Sequence, residues 1–532
     1  MRMTNKIMQN NSLYNINNNK VLQDKLSTQM STQKKITRPS DDPVVAIRAL
    51  RLRSSVSELS QFYEKNAPDA ESWLEVTGKA LETVTDVLTD LSTKANKAAN
   101  KDLKSEDLQI YVEQMKSLRD EFYSTGNVDY AGRYVFTGYR TDTTMSFTEE
   151  VEEMADGYPK YEITEQNTIG SFDTINYTNV AELDGLDRNN YDSADKKDVV
   201  EQDVVNGDIH RLRLAYDDLQ ADAGVSIEIM NKDGKTVNTT ISPTTVSTTT
   251  LPPNGPYEQI LKANEADPQT ELTIFVPETG EVLFSDAAYA KLETTIGGIA
   301  GVDTEIRATY TKDEWRDGDL RPEHYFACTG TTLDKDGNPK SVTYNSEYLQ
   351  GEEESQIIEY DVGYNQTIRV NTTAKEVFTH NLDRDIDDLE KELEKLLEIE
   401  KTQEELSTVL DGLEEGTAEY DQVQDQLDAA NKAYSYIREG IHNTFEKTIT
   451  KMQGHLDSTN IAITDNGTRS QRLELISNRL MEQKTTFETL KSENEDADIA
   501  EVAVKLTSTE LTYEAALMAT GKIMQTSLMN YI

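Results

Sequence analysis

The fold is decided by a short stretch near the start of the chain, Arg38-Pro39-Ser40-Asp41-Asp42-Pro43. The carboxylate of Asp42 can accept hydrogen bonds from the free amides of a first helical turn. Pro43 fits the first helical position, because its missing N–H would have no partner there in any case. The stretch therefore predicts a helix that begins at Pro43, and Pro68 further along predicts a kink or restart near residues 66–69.

A strong helical period follows this start. Eight residues recur in alternating steps of three and four, which places them on one face of a helix over about residues 69–100. The eight are Leu74, Thr77, Leu81, Val84, Leu88, Leu91, Ala95 and Ala98. This stripe predicts a long helix buried against others in a rod-like bundle, and a further helix is predicted over about 105–124.

The two ends of the chain show weaker amphipathic patterns. Upstream of residue 43, Ile7, Tyr14 and Val21 fall at heptad spacing, but the positions between them are largely polar. The last helix is predicted to begin at Asp496 or Asp498, and its apolar face keeps the three-four step as far as Ile523. The N-terminal helix would be marginal alone, so we expect both ends of the chain to associate with other helices. The predicted partner contacts are Ile7, Tyr14, Val21, Ile499, Val502, Leu506, Tyr513, Leu517, Ile523 and Leu528.

Beyond residue 146 the pattern becomes that of strands. Two segments, around Asp233-Gly234 and around Thr279-Gly280, read as β-hairpins with tight turns. Residues 236–250 hold ten Ser or Thr, which predicts an exposed loop or edge. After Phe378 the helical period returns as an antiparallel helix pair, with a possible break at Asp465-Asn466-Gly467.

Charge is distributed unevenly along the 532 residues. The chain has 97 acidic and 53 basic residues, and residues 146–440 carry −41 of the net charge of −44. This excess of carboxylates excludes a nucleic-acid binder, whose surface must neutralise phosphates. Without an apolar run of about 20 residues or an apolar signal-peptide core, we expect neither a membrane span nor ordinary secretory export.

Four segments carry a resemblance to a known family. They read KITRPSDDP at 35–43, SWL at 72–74, GRYVFTGYRT at 132–141 and EDAD at 495–498. Together, and in this order at both ends of the chain, they resemble the flagellin superfamily. The prolines of the first segment, and the strand opened by Gly132, Arg133 and Tyr134, favour the branch of that superfamily found at the hook–filament junction.

The resemblance implies an α+β fold, in which a terminal helical coiled coil and a helical-bundle rod domain carry a large inserted β-rich outer domain. The implied domains are 1–43 with 496–532 for the coiled coil, 44–145 with 379–495 for the rod, and 146–378 for the outer domain in one or two subdomains. The centre is longer than in a typical member, and Pro68 falls where the family usually continues a helix.

The function implied by the resemblance is structural. The chain would be an adaptor at the hook–filament junction of the bacterial flagellum, on which flagellin polymerises. Its implied partners are the hook-side junction protein, flagellin, further copies of itself in a ring and a cytoplasmic export chaperone, with no nucleic acid or membrane. It would be secreted by the flagellar type III system without a cleaved signal peptide. The alternatives are filament flagellin itself, or a surface enzyme or adhesin on the same scaffold.

The residues offer little for catalysis, metals or cofactors. The five histidines are well separated, and none forms the His-Glu-x-x-His pair that places two zinc ligands on one helical face. Cys328, the single cysteine, lies in a neutral stretch that favours a packed small hydrophobe over a reactive thiol. The acidic clusters lack the spacing of an EF-hand. We therefore expect no catalytic, cofactor-binding or metal-binding residues.

Overall fold

The computed structural model describes residues 5–148, 159–194, 196–230, 237–250, 254–266, 269–297, 304–333, 338–350 and 356–529. It divides into two compact units. The terminal unit consists of Met1–Glu71, Tyr360–Ile368 and Gln471–Ile532, and the main unit consists of Ser72–Glu359 and Arg369–Ser470. No helix in the described ranges has the length and apolar character needed to cross a membrane.

Long helices stand at both ends of the chain, and β-strands occupy its centre. The helices are α1 Asn5–Thr32, α2 Pro43–Gln61, α3 Ala67–Ala98, α4 Ser105–Thr125, α5 Pro256–Ala266, α6 Asp286–Gly297, α7 Ala374–Val377, α8 Asn381–Leu410, α9 Ala418–Glu495 and α10 Ile499–Met529. The strands are β1 Asp129–Tyr130, β2 Arg133–Tyr134, β3 Lys160–Asn167, β4 Phe172–Asn179, β5 Val205–Arg213, β6 Ser226–Met230, β7 Val237–Ile241, β8 Thr244–Thr245, β9 Thr273–Val276, β10 Glu281–Phe284, β11 Glu305–Lys312, β12 Ala327–Leu333, β13 Pro339–Tyr344, β14 Glu359–Gly363 and β15 Gln366–Arg369. The predicted α+β class is confirmed.

Two larger sheets form the β-rich centre of the main unit. One has five strands in the order β4-β5-β10-β9-β8, and the other has six in the order β13-β12-β3-β11-β6-β7. They share one apolar core, to which Leu212 and Phe284 contribute from the first sheet and Ile227 and Ala308 from the second. On the opposite face of the five-stranded sheet, Leu283 packs with Ile260 of α5. The continuous apolar character of β9 and β10 follows from this burial on both faces.

Both predicted hairpins have the strand pairing expected from the sequence. β6 pairs with β7 and β9 pairs with β10, each antiparallel. Gly280, in the second turn, has a φ of 59°, a left-handed conformation that suits glycine. Asp233-Gly234, the turn predicted for the first hairpin, lies outside the described residues.

The restart predicted near residues 66–69 takes the form of a π-helical turn over Phe62–Asn66, after which α3 begins at Ala67. The amide of Ala67 donates to the carbonyl of Phe62, the bond of a wider turn, and α3 begins immediately afterwards. Pro68 is the second residue of α3 and directly follows the wider turn, which separates it from the regular hydrogen bonding of α2. The chain has helical geometry from Pro43 to Ala98, so the restart is a change from π to α geometry and not a gap between helices.

The break expected at Asp465-Asn466-Gly467 is also absent, because α9 runs through these residues. Asn466 is buried, and its side-chain amide donates to the carbonyl oxygen of Leu74 in α3 over 3.0 Å. Gly78, one turn further along α3, leaves room for this side chain. The prediction failed because an Asn-Gly pair that usually marks a turn serves here as a contact between two helices.

Candidate functional site

The terminal unit pairs the two ends of the chain, with α1 packed along α10. The contact face of α10 follows the predicted three-four step. Val502 and Thr509 are buried, and Leu506 and Tyr513 are half-buried. The intramolecular coiled coil therefore uses the apolar stripe that the sequence indicates on this helix.

The contact face of α1 is a different stripe from the one predicted. Its buried and half-buried residues also follow steps of three and four, but most are polar. Up to residue 26 they are Gln9, Ser12, Ile16, Asn19, Gln23 and Leu26. Only Ile16 and Leu26 of this set are apolar and buried. The pairing of α1 with α10 thus rests on little apolar area on the α1 side.

The predicted residues of α1 point away from this seam. Ile7 is 48% exposed, Tyr14 67% and Val21 70%. Because they are seven residues apart, they form one apolar stripe on the outer face of α1. We call it the α1 outer stripe.

A matching stripe lies on α10. Val504, Leu511 and Met518 are also seven residues apart, and each is at least 64% exposed. We call these three the α10 outer stripe. Ile499 and Leu517, two further predicted contacts, are each 45% exposed. The side chains of Ile523 and Leu528 lie outside the part of the molecule that the structure describes.

Two of the sequence motifs meet at the base of the terminal pair. Arg53 of α2 holds the buried carboxylate of Glu495 with two hydrogen bonds, Nε to Oε1 at 2.6 Å and Nη2 to Oε2 at 2.7 Å. Lys34 forms ion pairs with Glu495, at 3.6 Å, and with Asp496. The stretches 33–43 and 495–498 are thereby joined within the terminal unit.

Backbone hydrogen bonds reinforce this junction. The amide of Lys35 donates to the carbonyl of Glu495 over 2.7 Å, and the amide of Ala497 donates to the carbonyl of Gln33 over 2.9 Å. Gln33 has a φ of 59°, which turns the chain at the end of α1. The hydrogen bond from Arg53 lowers the pKa of Glu495, and the one to Asp496 raises the pKa of Lys34. All these groups therefore stay charged near neutral pH.

The helix starts around the junction are capped as predicted. Asp42 Oδ1 accepts from the amides of Val44 and Val45 at 3.0 and 3.1 Å, and Pro43 is the first residue of α2. Asp41 accepts from the amides of Thr37 and Arg38, and these bonds lower its pKa. At the other end, Asp498 Oδ1 caps α10 through the amides of Ala500 and Glu501.

The third motif lies in the main unit. Gly132 has a φ of 76° in the turn between β1 and β2, and its amide donates to Asp129. The guanidinium of Arg133 lies 4.9 Å from the centre of the Trp73 ring, a cation–π contact. The predicted strand is short, since only Arg133 and Tyr134 of the stretch 132–139 are in β2. Val135 and Phe136 are buried without being in a strand.

Sequence reasoning missed two parts of this site. It did not find Arg53, whose partner Glu495 is 442 residues away, although both belong to helices next to the quoted motifs. It also missed Ser12, Asn19 and Gln23 in the seam, because a search for apolar periodicity selects the opposite face of α1. One sequence signal could have revealed the seam: Ser12, Asn19 and Gln23 alternate with Ile16 and Leu26 in steps of three and four residues.

The thiol and one of the histidines of the main unit are buried in apolar surroundings. Cys328 is buried, and burial raises the pKa of its thiol. Burial likewise lowers the pKa of His380 to about 3, so its imidazole is neutral at physiological pH. Among the described residues, no group of three or more His, Cys, Asp or Glu side chains is placed to hold a metal ion.

The comparisons with known proteins agree with the motifs. Residues 3–141 match the family described as bacterial flagellin N-terminal helical region. The resemblance to flagellins is thereby confirmed for this part of the chain.

Two relatives are more specific, and both are named flagellar hook-associated protein 3. The one from Escherichia coli is 30% identical over 195 residues, which cover 35% of this chain and 61% of the relative. The one from Salmonella typhimurium is 31% identical over 143 residues, which cover 27% of this chain and 45% of the relative. The chain thus matches between about half and three fifths of the length of these relatives.

Solved structures with the same kind of name also align with the chain. A hook-associated protein from Vibrio parahaemolyticus aligns over 86% of this chain and all of its own, with 12% identity and a TM-score of 0.33. FlgL from Xanthomonas campestris aligns over 83% of this chain and 99% of its own, with 11% identity and a TM-score of 0.30.

Proposed function

We propose that this chain is a structural adaptor at the hook–filament junction of the bacterial flagellum, on which flagellin polymerises. The names of its relatives, flagellar hook-associated protein 3, support the junction role over that of a filament subunit. A structural role in place of an enzymatic one is part of the same proposal. The observation that carries the proposal is the terminal helix pair, which leaves two apolar stripes exposed.

The two outer stripes support assembly with neighbouring axial proteins. Apolar side chains at heptad spacing are the pattern by which one helix packs against another. In a single molecule, the α1 outer stripe and the α10 outer stripe leave their apolar area in water, and partner helices would bury it. The proposed partners are further copies of this chain in a ring, the hook-side junction protein and flagellin. Ile7, Tyr14 and Val21, with Ile499 and Leu517, are the proposed partner contacts.

The domain division follows from the same proposal. Residues 1–43 and 496–532 would line the axis of the assembly, 44–145 and 379–495 would form the rod, and 146–378 would face outward. The concentration of negative charge in residues 146–440 supports an outward position for most of the centre. Export would use the flagellar type III system, with a cytoplasmic chaperone covering the terminal stripes.

The proposal is tested by placing a charge on the α10 outer stripe. Leu511→Asp puts a carboxylate where a partner helix would pack, and burying an unpaired carboxylate is costly. Leu511 is 64% exposed, so the isolated protein should fold and unfold at the same temperature as the wild type. We expect cells with this variant to build hooks but no filaments and to release flagellin into the medium.

Thr512→Asp is the matched control, because Thr512 is exposed on the same helix beside the stripe. We expect it to leave filaments intact. Normal filaments on the Leu511→Asp strain would contradict the junction role. So would labelled protein found along the whole filament of wild-type cells and not in one band at its base.

A further inference from the structure

The main unit contains a cavity of about 650 Å³ between the five-stranded sheet and helices α8 and α9. We call it the lysine cavity. Thr174 of β4, Glu392 and Lys395 of α8, and Gly440 and Thr444 of α9 line it. Its volume falls within the range of ligand pockets in proteins, about 300–1,000 Å³.

Three lysines line this cavity with no carboxylate oxygen of a described residue within 4.0 Å of the ammonium. They are Lys391 and Lys395, one turn apart on α8, and Lys447 on α9. None of them forms an ion pair within the described residues, although the chain has almost two acidic residues for each basic one. The other cations at the site are paired: Arg211 binds Asp173, Glu281 and Asp388, and Lys451 binds Asp385. The lining also holds Asp208, Glu392 and Glu446, which form no ion pair within the described residues. The cavity is therefore not uniformly positive, but its three lysine ammonium groups can each donate to an anion.

Lys395 is the deepest of the three. Its ammonium lies 4.5 Å from the centre of the Tyr177 ring, and it donates no hydrogen bond to any described residue. Lys447, by contrast, donates to the carbonyl oxygen of Thr174 over 2.9 Å. Burial lowers the pKa of Lys395, while the carboxylates of Glu392, Glu258 and Glu281 act in the opposite direction. A partly buried ammonium that lacks an acceptor gains most from a ligand that supplies one.

Glu392 lacks a partner on one side. Its Oε1 accepts from Thr444 Oγ1 over 3.0 Å, whereas Oε2 is buried and has no hydrogen-bond partner among the described residues. A buried polar atom without a partner costs free energy unless something bound at the site satisfies it. A hydroxyl can donate to a carboxylate or accept from a carboxylic acid, so it satisfies Glu392 in either protonation state. A cationic ligand would add a fourth positive charge beside the lysines.

Gly440 keeps the cavity open. It lies inside the 78-residue helix α9, where glycine is less favourable than alanine. Apart from the neighbouring backbone of α9 itself, no atom of the described residues lies within 4 Å of the place where its Cβ would be, so helix packing does not require a glycine there. The absent side chain instead leaves space beside Thr444.

We propose that the lysine cavity binds a small polyhydroxylated anion of the acidic-sugar class. The anionic group would contact Lys395, with Lys391 and Lys447 at the mouth, and a hydroxyl would bind Glu392 Oε2. The anion can be a carboxylate or a phosphate, since both accept from an ammonium. This site does not depend on the junction role.

The test is isothermal titration of the full chain at pH 7 with D-glucuronate, D-glucose 6-phosphate and D-glucose. At least one anionic sugar should bind saturably and about tenfold or more tighter than glucose, the effect of one charge-assisted hydrogen bond. Comparison of the two anions identifies the carboxylate or the phosphate as the preferred group. No saturable binding, or equal binding of glucose, would overturn the proposal.

Two variants with matched controls locate the binding. Gly440→Leu fills the cavity and should abolish binding, whereas Gly454→Leu, at another open glycine of α9 outside the cavity, should not. Lys395→Met should weaken the binding about tenfold or more, and Lys401→Met, at an exposed lysine of α8, should leave it unchanged. Thermal unfolding of each variant without ligand reports on its folding. Undiminished binding by a folded Gly440→Leu protein would place the ligand elsewhere and refute the site.

Discussion

At the scale of single residues, Asp42 links a sequence motif to stability. Its carboxylate satisfies two of the free amides at the start of α2. Asp42→Ala leaves these amides to water and should lower the free energy of unfolding by about 1 kcal/mol. Glu482→Ala, at an exposed residue of the same unit, should change it by less than about 0.5 kcal/mol. Chemical denaturation measures both, and equal effects would contradict the capping role.

Glu392 makes stability depend on pH. Burial raises its pKa to about 7, although the hydrogen bond from Thr444 acts in the opposite direction. The folded state therefore holds this proton more tightly than the unfolded state, whose pKa is about 4.5. The resulting stabilisation is complete below about pH 4.5 and is lost as the pH rises through 7, by at most about 3 kcal/mol.

Glu392→Gln should remove this contribution. The difference in unfolding free energy between variant and wild type should therefore change between about pH 5 and pH 8. Glu394→Gln, at an exposed residue of the same helix, provides the control and should show a constant difference. If the difference in unfolding free energy for Glu392→Gln is also independent of pH, the pKa of Glu392 in the folded wild-type protein is not raised.

At the scale of helices, two glycines should respond oppositely to substitution. A Cβ at Gly78 would lie 3.0 Å from the side-chain nitrogen of Asn466, whereas a Cβ at Gly454 would have no atom of the described residues within 4 Å apart from the neighbouring backbone of α9. Gly454→Ala should raise the unfolding free energy by about 0.5–1 kcal/mol. Gly78→Val should lower it by more than about 1 kcal/mol through crowding. Thermal unfolding tests both signs, and stabilisation by Gly78→Val would contradict the close approach of α3 and α9.

The same helices show how far periodicity predicts structure. The stripe of α3 and the seam of α10 follow from apolar spacing, because burial of large apolar side chains dominates their packing. α1 does not follow it, since its seam is built mainly from polar side chains around Ile16 and Leu26. Neither the π turn before Pro68 nor the contact of Asn466 with Leu74 could be predicted. Both depend on groups that are distant in sequence or on a wider turn that has no simple residue pattern.

At the scale of the whole molecule, the ends of the chain illustrate what sequence can and cannot establish. Through the family resemblance, the motifs at 35–43 and 495–498 led us to expect that the two ends of the chain pair. In the structure, Arg53 and Glu495 link the two regions by hydrogen bonds. The lysine cavity had no signal in the sequence, because its lining comes from β4, α8 and α9, which are far apart along the chain. Apolar periodicity in the sequence describes a single helix, whereas the walls of a cavity come from several secondary-structure elements.

The polar seam between α1 and α10 predicts how the isolated protein responds to proteases. Ordering two long helices costs conformational entropy, and only Ile16, Leu26 and Val502 are buried apolar residues among the described side chains of this pair. In the dilute protein, limited proteolysis should therefore remove the segments before residue 34 and after residue 498 before it cuts the main unit.

Strengthening the seam should slow this trimming. Asn19 is half-buried in the seam, so Asn19→Leu adds apolar burial against α10. We expect this variant to be trimmed several-fold more slowly, because the opened state is less populated. Asn18→Leu, at the exposed neighbouring position, makes the same chemical change outside the seam and should be trimmed at the wild-type rate. Mass spectrometry measures the rate of trimming. If both variants are trimmed at the same rate, opening of the α1–α10 pair does not limit cleavage. In that case, weak pairing of α1 with α10 would not explain why the terminal helices are accessible to partner proteins.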